Sequence, residues 1–123
     1  MPSKYSQNNI SATNFKNDTY YNNLRFISYP GIIKNMYKIS EFGKIYSIAN
    51  DSYISWSIRD SLPYVNLPCL KNDKYTLESF YIKDLVACSF LEDSESYLER
   101  GYRAINIDGN TMNCNYHNIV YIK

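Results

Sequence analysis

The chain has 123 residues, of which 45% are hydrophobic and 20% charged, and its formal net charge is +1; this size suits one domain with a single core, with or without an arm. Residues 1–60 hold seven basic and four acidic side chains, and residues 61–123 hold six and eight, which argues against a strong non-specific grip on duplex DNA by the second half. No apolar run approaches the roughly 18 residues of a membrane helix, and "MPSKYSQNNISATNF" lacks the apolar core of a signal peptide.

The first third of the chain divides into a polar arm and a hairpin. Residues 1–24 show no repeat of 2 or 3.6 residues, which predicts an arm that is ordered only against another surface. From Arg25 the pattern changes, and "MYKISEFGKIYSI" contains two alternating runs, Tyr37–Ile39 and Ile45–Ile48. Gly43 lies between the runs and tolerates a positive φ, so this stretch predicts a β-hairpin.

The middle of the chain continues as strands. "SYISWSI" (residues 52–58) alternates and predicts one further strand, with Tyr53 on one face and a core or half-buried Trp56 on the other. "YVNLPCL" and "YTLESFYI" flank the polar turn "KNDK" and predict a second hairpin. Pro68 has no backbone N–H, so it should lie at an edge or a bulge.

A helix and a last strand pair complete the predicted fold. "IKDLVACSFL" has an apolar stripe at helical spacing, while Lys83 and Asp84 point away; the stripe residues are Ile82, Leu85, Val86 and Phe90. "LEDSESYLER" predicts a solvated loop or short helical turn that ends at Gly101. Asp108–Gly109 predicts a tight turn before the strand "NIVYI". The fold class is therefore α+β, with small antiparallel hairpins followed by one helix and a final strand pair.

Two features of the composition carry little chemistry. The chain has 14 tyrosines, and Asn and Ile are similarly frequent; these residues share A/T-rich codons, so the tyrosines alone do not indicate a base-stacking surface. Cys69, Cys88 and Cys114 are an odd number without a CxxC pair, which favours buried reduced thiols over a disulfide framework or a zinc site.

Several stretches together resemble a known nuclease family. "YKISEFGKIYS" resembles the small hairpin module in front of phage and intron-encoded HNH nucleases. "LPYVNL", "YIKDLVACSF" and "INIDGN" resemble the HNH homing-endonuclease core in order and spacing. The resemblance covers roughly residues 25–123. After the polar arm (1–24) it implies a nuclease-associated hairpin module (25–60) and a degenerate HNH-like core (61–123) with a truncated, His-Me-finger-like ββα motif. It also implies an origin in an A/T-rich virus or mobile element.

The family's catalytic positions hold unsuitable residues here. In the family, a histidine acts as general base beside a metal-binding Asp or Asn, and a later Asn orients the histidine. These positions fall on Asn106, Ile105 and Asn118 respectively. Ile105 has no donor atom, and the amide of Asn106 cannot take a proton near neutral pH. Lys83 stands where the family has a histidine, and the last metal ligand would follow Lys123. The resemblance thus implies an inactive nuclease without a metal or other cofactor.

Substitute catalytic residues are better explained structurally. We interpret Asp108 as the turn residue before Gly109 and His117 as a surface histidine in an Asn-rich turn. Asp84 belongs to the solvated face of the helix, and Asn113 and Asn115 are turn or cap residues.

Three functions remain open at the level of sequence. The first is a nucleic-acid-binding remnant that contacts phosphates through Lys34, Lys38, Lys44 and Arg59, although these cations also suit an ordinary solvated strand face. The second is a structural or adaptor protein that binds protein neighbours in an assembly such as a virus particle. The third is a nuclease with an unrecognised site. We expect an intracellular or virion location and no membrane partner, and the sequence carries no signal for an oligomeric state.

Overall fold

The computed structural model describes residues 24–123, so the arm predicted for residues 1–24 lies outside the described residues apart from Leu24. Within this range, nine strands form three antiparallel sheets. The first sheet has the order β1 (Arg25–Phe26), β2 (Tyr37–Ile39), β3 (Ile45–Ser47), β4 (Ser52–Ile54). The second has β5 (Ser57–Arg59), β6 (Leu62–Lys71), β7 (Lys74–Tyr81), and the third pairs β8 (Arg103–Asn106) with β9 (Ile119–Ile122). The helices are α1 (Ile82–Phe90) and α2 (Ser94–Glu99), with a 3-10 turn at Tyr116–Asn118. The predicted α+β class is confirmed.

The first predicted hairpin is present, and its turn is packed tightly. β2 and β3 pair from Tyr37 opposite Ser47 to Ile39 opposite Ile45. Gly43 lies in the turn with φ +89°, and a Cβ built there would be 2.6 Å from Cγ2 of Ile82 and 3.2 Å from Cζ2 of Trp56. Only glycine leaves space for this approach, so the turn seats the first sheet directly against the start of α1.

The single strand predicted over residues 52–58 is instead two strands in different sheets. β4 pairs with β3, whereas β5 pairs with β6. The break falls at Ser55 and Trp56, where the half-buried indole turns inward and its Nε1 donates to the carbonyl oxygen of Gly43 at 2.9 Å. The chain therefore leaves the first sheet and enters the second at Trp56, whose indole is fixed by this hydrogen bond.

The second predicted hairpin is confirmed, with a shorter turn than "KNDK" indicated. β6 and β7 pair without interruption from Tyr64 opposite Tyr81 to Lys71 opposite Lys74. Asn72 and Asp73 alone form the turn, and their φ angles are +50° and +63°. Two consecutive left-handed residues are characteristic of a two-residue hairpin turn, and Asn and Asp tolerate this conformation.

Pro68 does not form a bulge, and its missing N–H lies on the side of β6 away from β7. It lies in a regular pair with Leu77 of β7. The backbone N–H of Leu70 donates away from β7, to the carbonyl oxygen of Gly31 at 2.8 Å. Since alternate residues of a strand direct their N–H groups to the same side, the missing N–H of Pro68 also faces away from β7, where no named strand runs beside it.

Helix α1 lies at the centre and contacts strands of all three sheets. Its apolar stripe is buried as predicted, except that Phe90 is only half-buried. Asp84 does not point fully into solvent, because burial raises the pKa of its carboxyl group against a smaller lowering by Lys83. The buried core cluster comprises Ile27, Ile32, Ile39, Ile45, Val65, Leu67, Ile82, Leu85, Val86, Ala87, Ala104, Cys114 and Ile119. Among residues 24–123, no helix combines the length and apolar character needed to cross a membrane.

The boundary predicted at residue 60 falls in the turn between β5 and β6. Asp60 and Ser61 form this turn with φ angles of +53° and +66°. Ile39 and Ile45 on one side of the boundary belong to the same buried cluster as Leu85 on the other. The two stretches share one core, and the division into modules stays a prediction.

Candidate functional site

The positions that the resemblance assigns to the general base and to its orienting residue lie at one end of the third sheet. Asn106 is the last residue of β8 and pairs with Ile119, the first residue of β9. Asn118 directly precedes β9, and its carbonyl oxygen accepts from the N–H of Ile107 at 2.7 Å. The predicted turn at Asp108–Gly109 is present, and the N–H of Gly109 donates to the carbonyl oxygen of Asn106 at 3.0 Å. The strand pair therefore brings the base position and the orienting position side by side.

The side chains at these two positions are bound to one backbone carbonyl. Asn106 is only 9% exposed, and its Nδ2 donates to the carbonyl oxygen of Asn113 at 3.0 Å. Nδ2 of Asn118 donates to the same oxygen at 2.9 Å. A carbonyl oxygen has two lone pairs and satisfies both donors. The Nδ2 group of Asn106 thus donates a hydrogen bond within the protein. A general base would instead direct a lone pair toward the attacking water.

Asp108 is the centre of the loop that joins β8 and β9. Its Oδ1 accepts from the N–H of Asn110 at 2.8 Å and from Nδ2 of Asn118 at 2.9 Å, and its Oδ2 accepts from Nδ2 of Asn113 at 3.0 Å. These hydrogen bonds, that of Asn113 most strongly, lower the pKa of the exposed Asp108 carboxyl group. The carboxylate is stabilised as a structural acceptor, which extends its interpretation as a turn residue.

Sequence reasoning missed this loop network, although part of its signal was present. Asp108, Asn110 and Asn115 each accept at their Oδ1 from the N–H two residues further along. This is the Asx-turn, in which an Asp or Asn side chain imitates a backbone turn. The repeated Asp and Asn residues of "NIDGNTMNCNYHN" therefore indicate a loop held by its own side chains. The interpretation of Asn115 as a cap is confirmed, since it caps the 3-10 turn.

The residues at these positions do not fit the metal site of an HNH nuclease. Ile105 offers only hydrocarbon, and three N–H groups already donate to the carboxylate oxygens of Asp108, which leaves few of its lone pairs for a cation. Divalent metals require several oxygen or nitrogen lone pairs directed at one point. Within the described part of the chain, no group of three or more His, Cys, Asp or Glu side chains is placed to hold a metal ion.

His117 and Cys114 belong to this loop and are not arranged as catalytic groups. His117 is exposed, and its ring lies against Tyr116 with centroids 4.0 Å apart. Cys114 is buried; burial raises its pKa to about 11, while hydrogen bonding to Asn106 and the charge of Lys83 act in the opposite direction. All three cysteines are free; Cys69 and Cys114 are buried as predicted, whereas Cys88 is only half-buried.

Lys38 lies in a row of aromatic side chains on the first sheet. Residues directly opposite each other in an antiparallel pair share one face of the sheet. The register places Phe26 opposite Lys38, Lys38 opposite Tyr46, and Tyr46 opposite Tyr53. The Lys38 ammonium is 5.0 Å from the Phe26 ring centroid, and the two tyrosine rings meet edge to face at 5.2 Å. We call these four residues the aromatic row.

The other predicted nucleic-acid contacts belong to different elements. Lys44, in the β2–β3 turn, lies over the ring of Trp56 at 5.0 Å, and Arg59 of β5 lies over the ring of Tyr64 at 4.2 Å. Lys34 is exposed at a groove of about 650 Å³ between residues 26–35 and the loop after α1. Three of the four cations thus rest on aromatic rings, and their role in binding stays a prediction.

Comparison with known proteins bears on this geometry. No family model and no curated protein matches the chain. A search of solved structures finds one described as "DNA binding and cleavage by the HNH homing endonuclease I-HmuI", with a TM-score of 0.56 and 26% sequence identity over 72% of this chain. The chain has an HNH endonuclease-like fold. The match covers 47% of the I-HmuI chain, so the HNH-like chain spans about half the length of that nuclease. The resemblance read from the sequence is confirmed at the level of the fold.

Proposed function

We propose that this HNH-like chain is a catalytically inactive module that binds nucleic acid. The observation that carries the proposal is the hydrogen bond from Nδ2 of Asn106 to the carbonyl oxygen of Asn113. At the position that the resemblance assigns to the general base, the chain has an amide that is buried, hydrogen-bonded and not basic. Loss of a general base alone lowers the rate of such reactions by roughly 10²–10⁴-fold.

The aromatic row and the neighbouring cations support binding of nucleic acid. Phe26, Tyr46 and Tyr53 present rings on the same face as Lys38, and Lys44 and Arg59 hold their charges over further rings. Aromatic faces stack with bases and cations contact phosphates, the combination that single-stranded nucleic acid requires. The solved structure most relevant to the fold is described as a DNA-binding nuclease. A net charge of +1 predicts weak binding that depends strongly on salt.

Cleavage is tested with supercoiled plasmid. We expect no difference in nicking between samples that contain Mg²⁺ or Mn²⁺ and samples that also contain chelator. Chelator-sensitive nicking that follows the protein through purification, and disappears in the Asn118→Ala variant, would overturn the inactive assignment.

Binding is tested by mobility shift with single-stranded DNA, duplex DNA and RNA at about 50 mM salt, a concentration at which phosphate contacts are strong. We expect Lys38→Glu/Lys44→Glu to weaken binding and to reduce the salt slope by about 2, one unit for each lost phosphate contact. The matched control is Arg100→Glu/Lys123→Glu, because both cations also lie over a tyrosine ring, that of Tyr102. Equal losses in the two double variants would contradict a specific surface, and no binding by the wild type would end the proposal.

A structural or adaptor role in an assembly is the second candidate. It is favoured by the near-zero net charge and by two exposed side chains on β7, Tyr75 at 73% and Leu77 at 69% exposure. The material that co-purifies with the native protein separates the candidates. Nucleic acid supports the first, whereas a stoichiometric protein neighbour without nucleic acid supports the second.

A further inference from the structure

Strand β7 has one long unpaired edge. It is the last strand of the second sheet and pairs with β6 along eight consecutive residue pairs. Within residues 24–123, no backbone hydrogen bond reaches β7 from any other segment. The strand "KYTLESFY" contains neither Pro nor Gly, and its register has no bulge. Pro residues and bulges are two of the features by which edge strands prevent pairing, and charged side chains are a third. β7 has neither of the first two but carries Lys74 and Glu78, so another strand can pair with this edge where it matches these charges.

An apolar patch lies on the face of this hairpin that includes Tyr75 and Leu77. These are the two most exposed large hydrophobic side chains of the described residues, at 73% and 69%. Tyr75 lies opposite Leu70, which is 44% exposed, and Leu77 lies opposite Pro68. Burying an exposed apolar patch of this kind against a partner is favourable, so such patches commonly mark interaction sites.

We propose that the free edge of β7 pairs antiparallel with β7 of a second copy of this chain, in the register that places Thr76 opposite Thr76. The same register places Lys74 opposite Glu78 of the second copy, and Tyr75 opposite its Leu77. By symmetry each pair occurs twice. The strand is therefore complementary to itself in charge on one face and in apolar side chains on the other, as a two-fold interface requires.

The charges select this register among the alternatives. Centring the pair on Lys74 or on Glu78 places like charges opposite each other, which is unfavourable. Centring it on Leu77 leaves both charged residues without an ionic partner across the interface. Within residues 24–123 the structure gives Lys74 no ion pair, whereas Glu78 has a partly exposed one with Lys71 at 3.7 Å. Lys74 thus gains a partner in only one of these arrangements.

The resulting dimer has a continuous six-stranded sheet in the order β5–β6–β7–β7–β6–β5. Its apolar face combines the patch residues of both copies, and its other face carries two ion pairs between the copies. The aromatic row lies on the first sheet and takes no part in this interaction. Arg59 of β5 belongs to the second sheet, where β6 separates β5 from the paired edge of β7.

Sedimentation velocity over a concentration series tests the proposal. We expect a reversible dimer for the wild type. Lys74→Glu and Glu78→Lys should each weaken dimerisation by about tenfold or more, because each places two like-charge pairs across the interface. Combining the two substitutions restores opposite charges and should return the dissociation constant to within about threefold of the wild type. The Lys71 ion pair is lost equally in Glu78→Lys and in the double variant, so it cannot account for the recovery.

The controls are Lys123→Glu and Glu92→Lys, which make the same charge changes away from β7 and should leave dimerisation unchanged. Circular dichroism checks that each variant is folded. A carbodiimide cross-link between Lys74 and Glu78 in mixed isotope-labelled and unlabelled protein should join one labelled and one unlabelled chain. A wild type that stays monomeric at every concentration, or a dimer that survives both single substitutions unchanged, would overturn the proposal.

Discussion

The packing around α1 and the loop between β8 and β9 are stabilised in opposite ways. Ile82, Leu85 and Val86 are fully buried hydrocarbon, which stabilises through area removed from water. The loop is held by hydrogen bonds between the exposed Asp108 carboxylate and neighbouring amide side chains. Each such hydrogen bond contributes less to the free energy of unfolding than a fully buried apolar side chain does. The comparison shows that the buried hydrocarbon of α1 forms the packed core of the HNH-like fold, while Asn106, Asp108 and Asn118 hold the loop through hydrogen bonds.

The largest expected effect comes from truncating a buried apolar side chain of α1. Leu85→Ala should lower the free energy of unfolding by about 2–5 kcal/mol, because it leaves a cavity among fully buried side chains. Chemical denaturation measures the loss. Ile107→Ala, a truncation of a 60% exposed side chain in the loop, is the control and should change stability by less than about 0.5 kcal/mol. Similar losses in both variants would contradict the contrast.

Gly43 and Gly109 have similar positive φ angles but differ in how closely the surrounding atoms pack against them. Gly43 has φ +89° and Gly109 has φ +78°, but a Cβ at Gly43 meets Ile82 whereas one at Gly109 meets nothing within 4 Å. Gly43→Ala should destabilise by about 2–4 kcal/mol from strain and overpacking together, and Gly109→Ala by about 1–2 kcal/mol from strain alone. Thermal and urea unfolding of both variants measure the difference, and an equal loss would mean that the turn moves away from α1.

Removing the side chain of Asn118 disrupts the hydrogen bonds that hold the loop between β8 and β9. Asn118→Ala deletes donors to Asp108 and to the carbonyl of Asn113, and the acceptor of the Asp108 N–H. We expect a loss of about 1–2 kcal/mol in the free energy of unfolding, because the groups left behind regain water at this partly exposed site. Asn66→Ala, which removes one exposed bond to Ser79, is the control. A loss as large as that of Leu85→Ala would refute the division into strong and weak regions.

The smallest expected effect depends on pH and belongs to Asp108. Its pKa in the folded protein lies below the ordinary value of about 3.9, because three N–H donors bind the carboxylate. A lowered folded pKa stabilises the fold above the unfolded pKa, and this stabilisation disappears as pH falls through the folded pKa. Asp108→Asn should therefore be less stable than the wild type at pH 7, and the gap should narrow below about pH 4. Urea unfolding at several pH values measures it, with Asp60→Asn as the control.

Periodicity in the sequence predicted the elements whose contacts are local. The hairpin around Gly43, the β6–β7 hairpin and α1 follow from alternation and helical spacing together with turn residues. The alternation of apolar and polar residues over residues 52–58 could not locate the break at Ser55 and Trp56. The same pattern is expected whether one strand continues or two strands belong to different sheets. That choice is made by the bond from Trp56 to Gly43, thirteen residues away.

The candidate site was predictable in its positions but not in its bonds. The resemblance predicted that Asn106 and Asn118 belong to one site, and the structure places them side by side at the β8–β9 pair. Their assignment to catalytic positions stays a prediction. The shared acceptor, the carbonyl of Asn113, depends on how β9 returns beside β8. Asp84 likewise appeared solvated from helical spacing alone, yet neighbouring segments cover part of it.

The bond from Trp56 to Gly43 makes the junction of the two sheets optically observable. Trp56 is the sole indole of the chain, and its Nε1 donates to the carbonyl oxygen of Gly43. A Cβ built at Gly43 would lie 2.6 Å from Ile82 of α1 and 3.4 Å from Cys114 of the β8–β9 loop. The emission wavelength of Trp56 and its quenching by iodide or acrylamide therefore monitor the point where sheet, helix and loop meet. An intact junction should keep the emission blue-shifted, and separation of the hairpins should move it to the red.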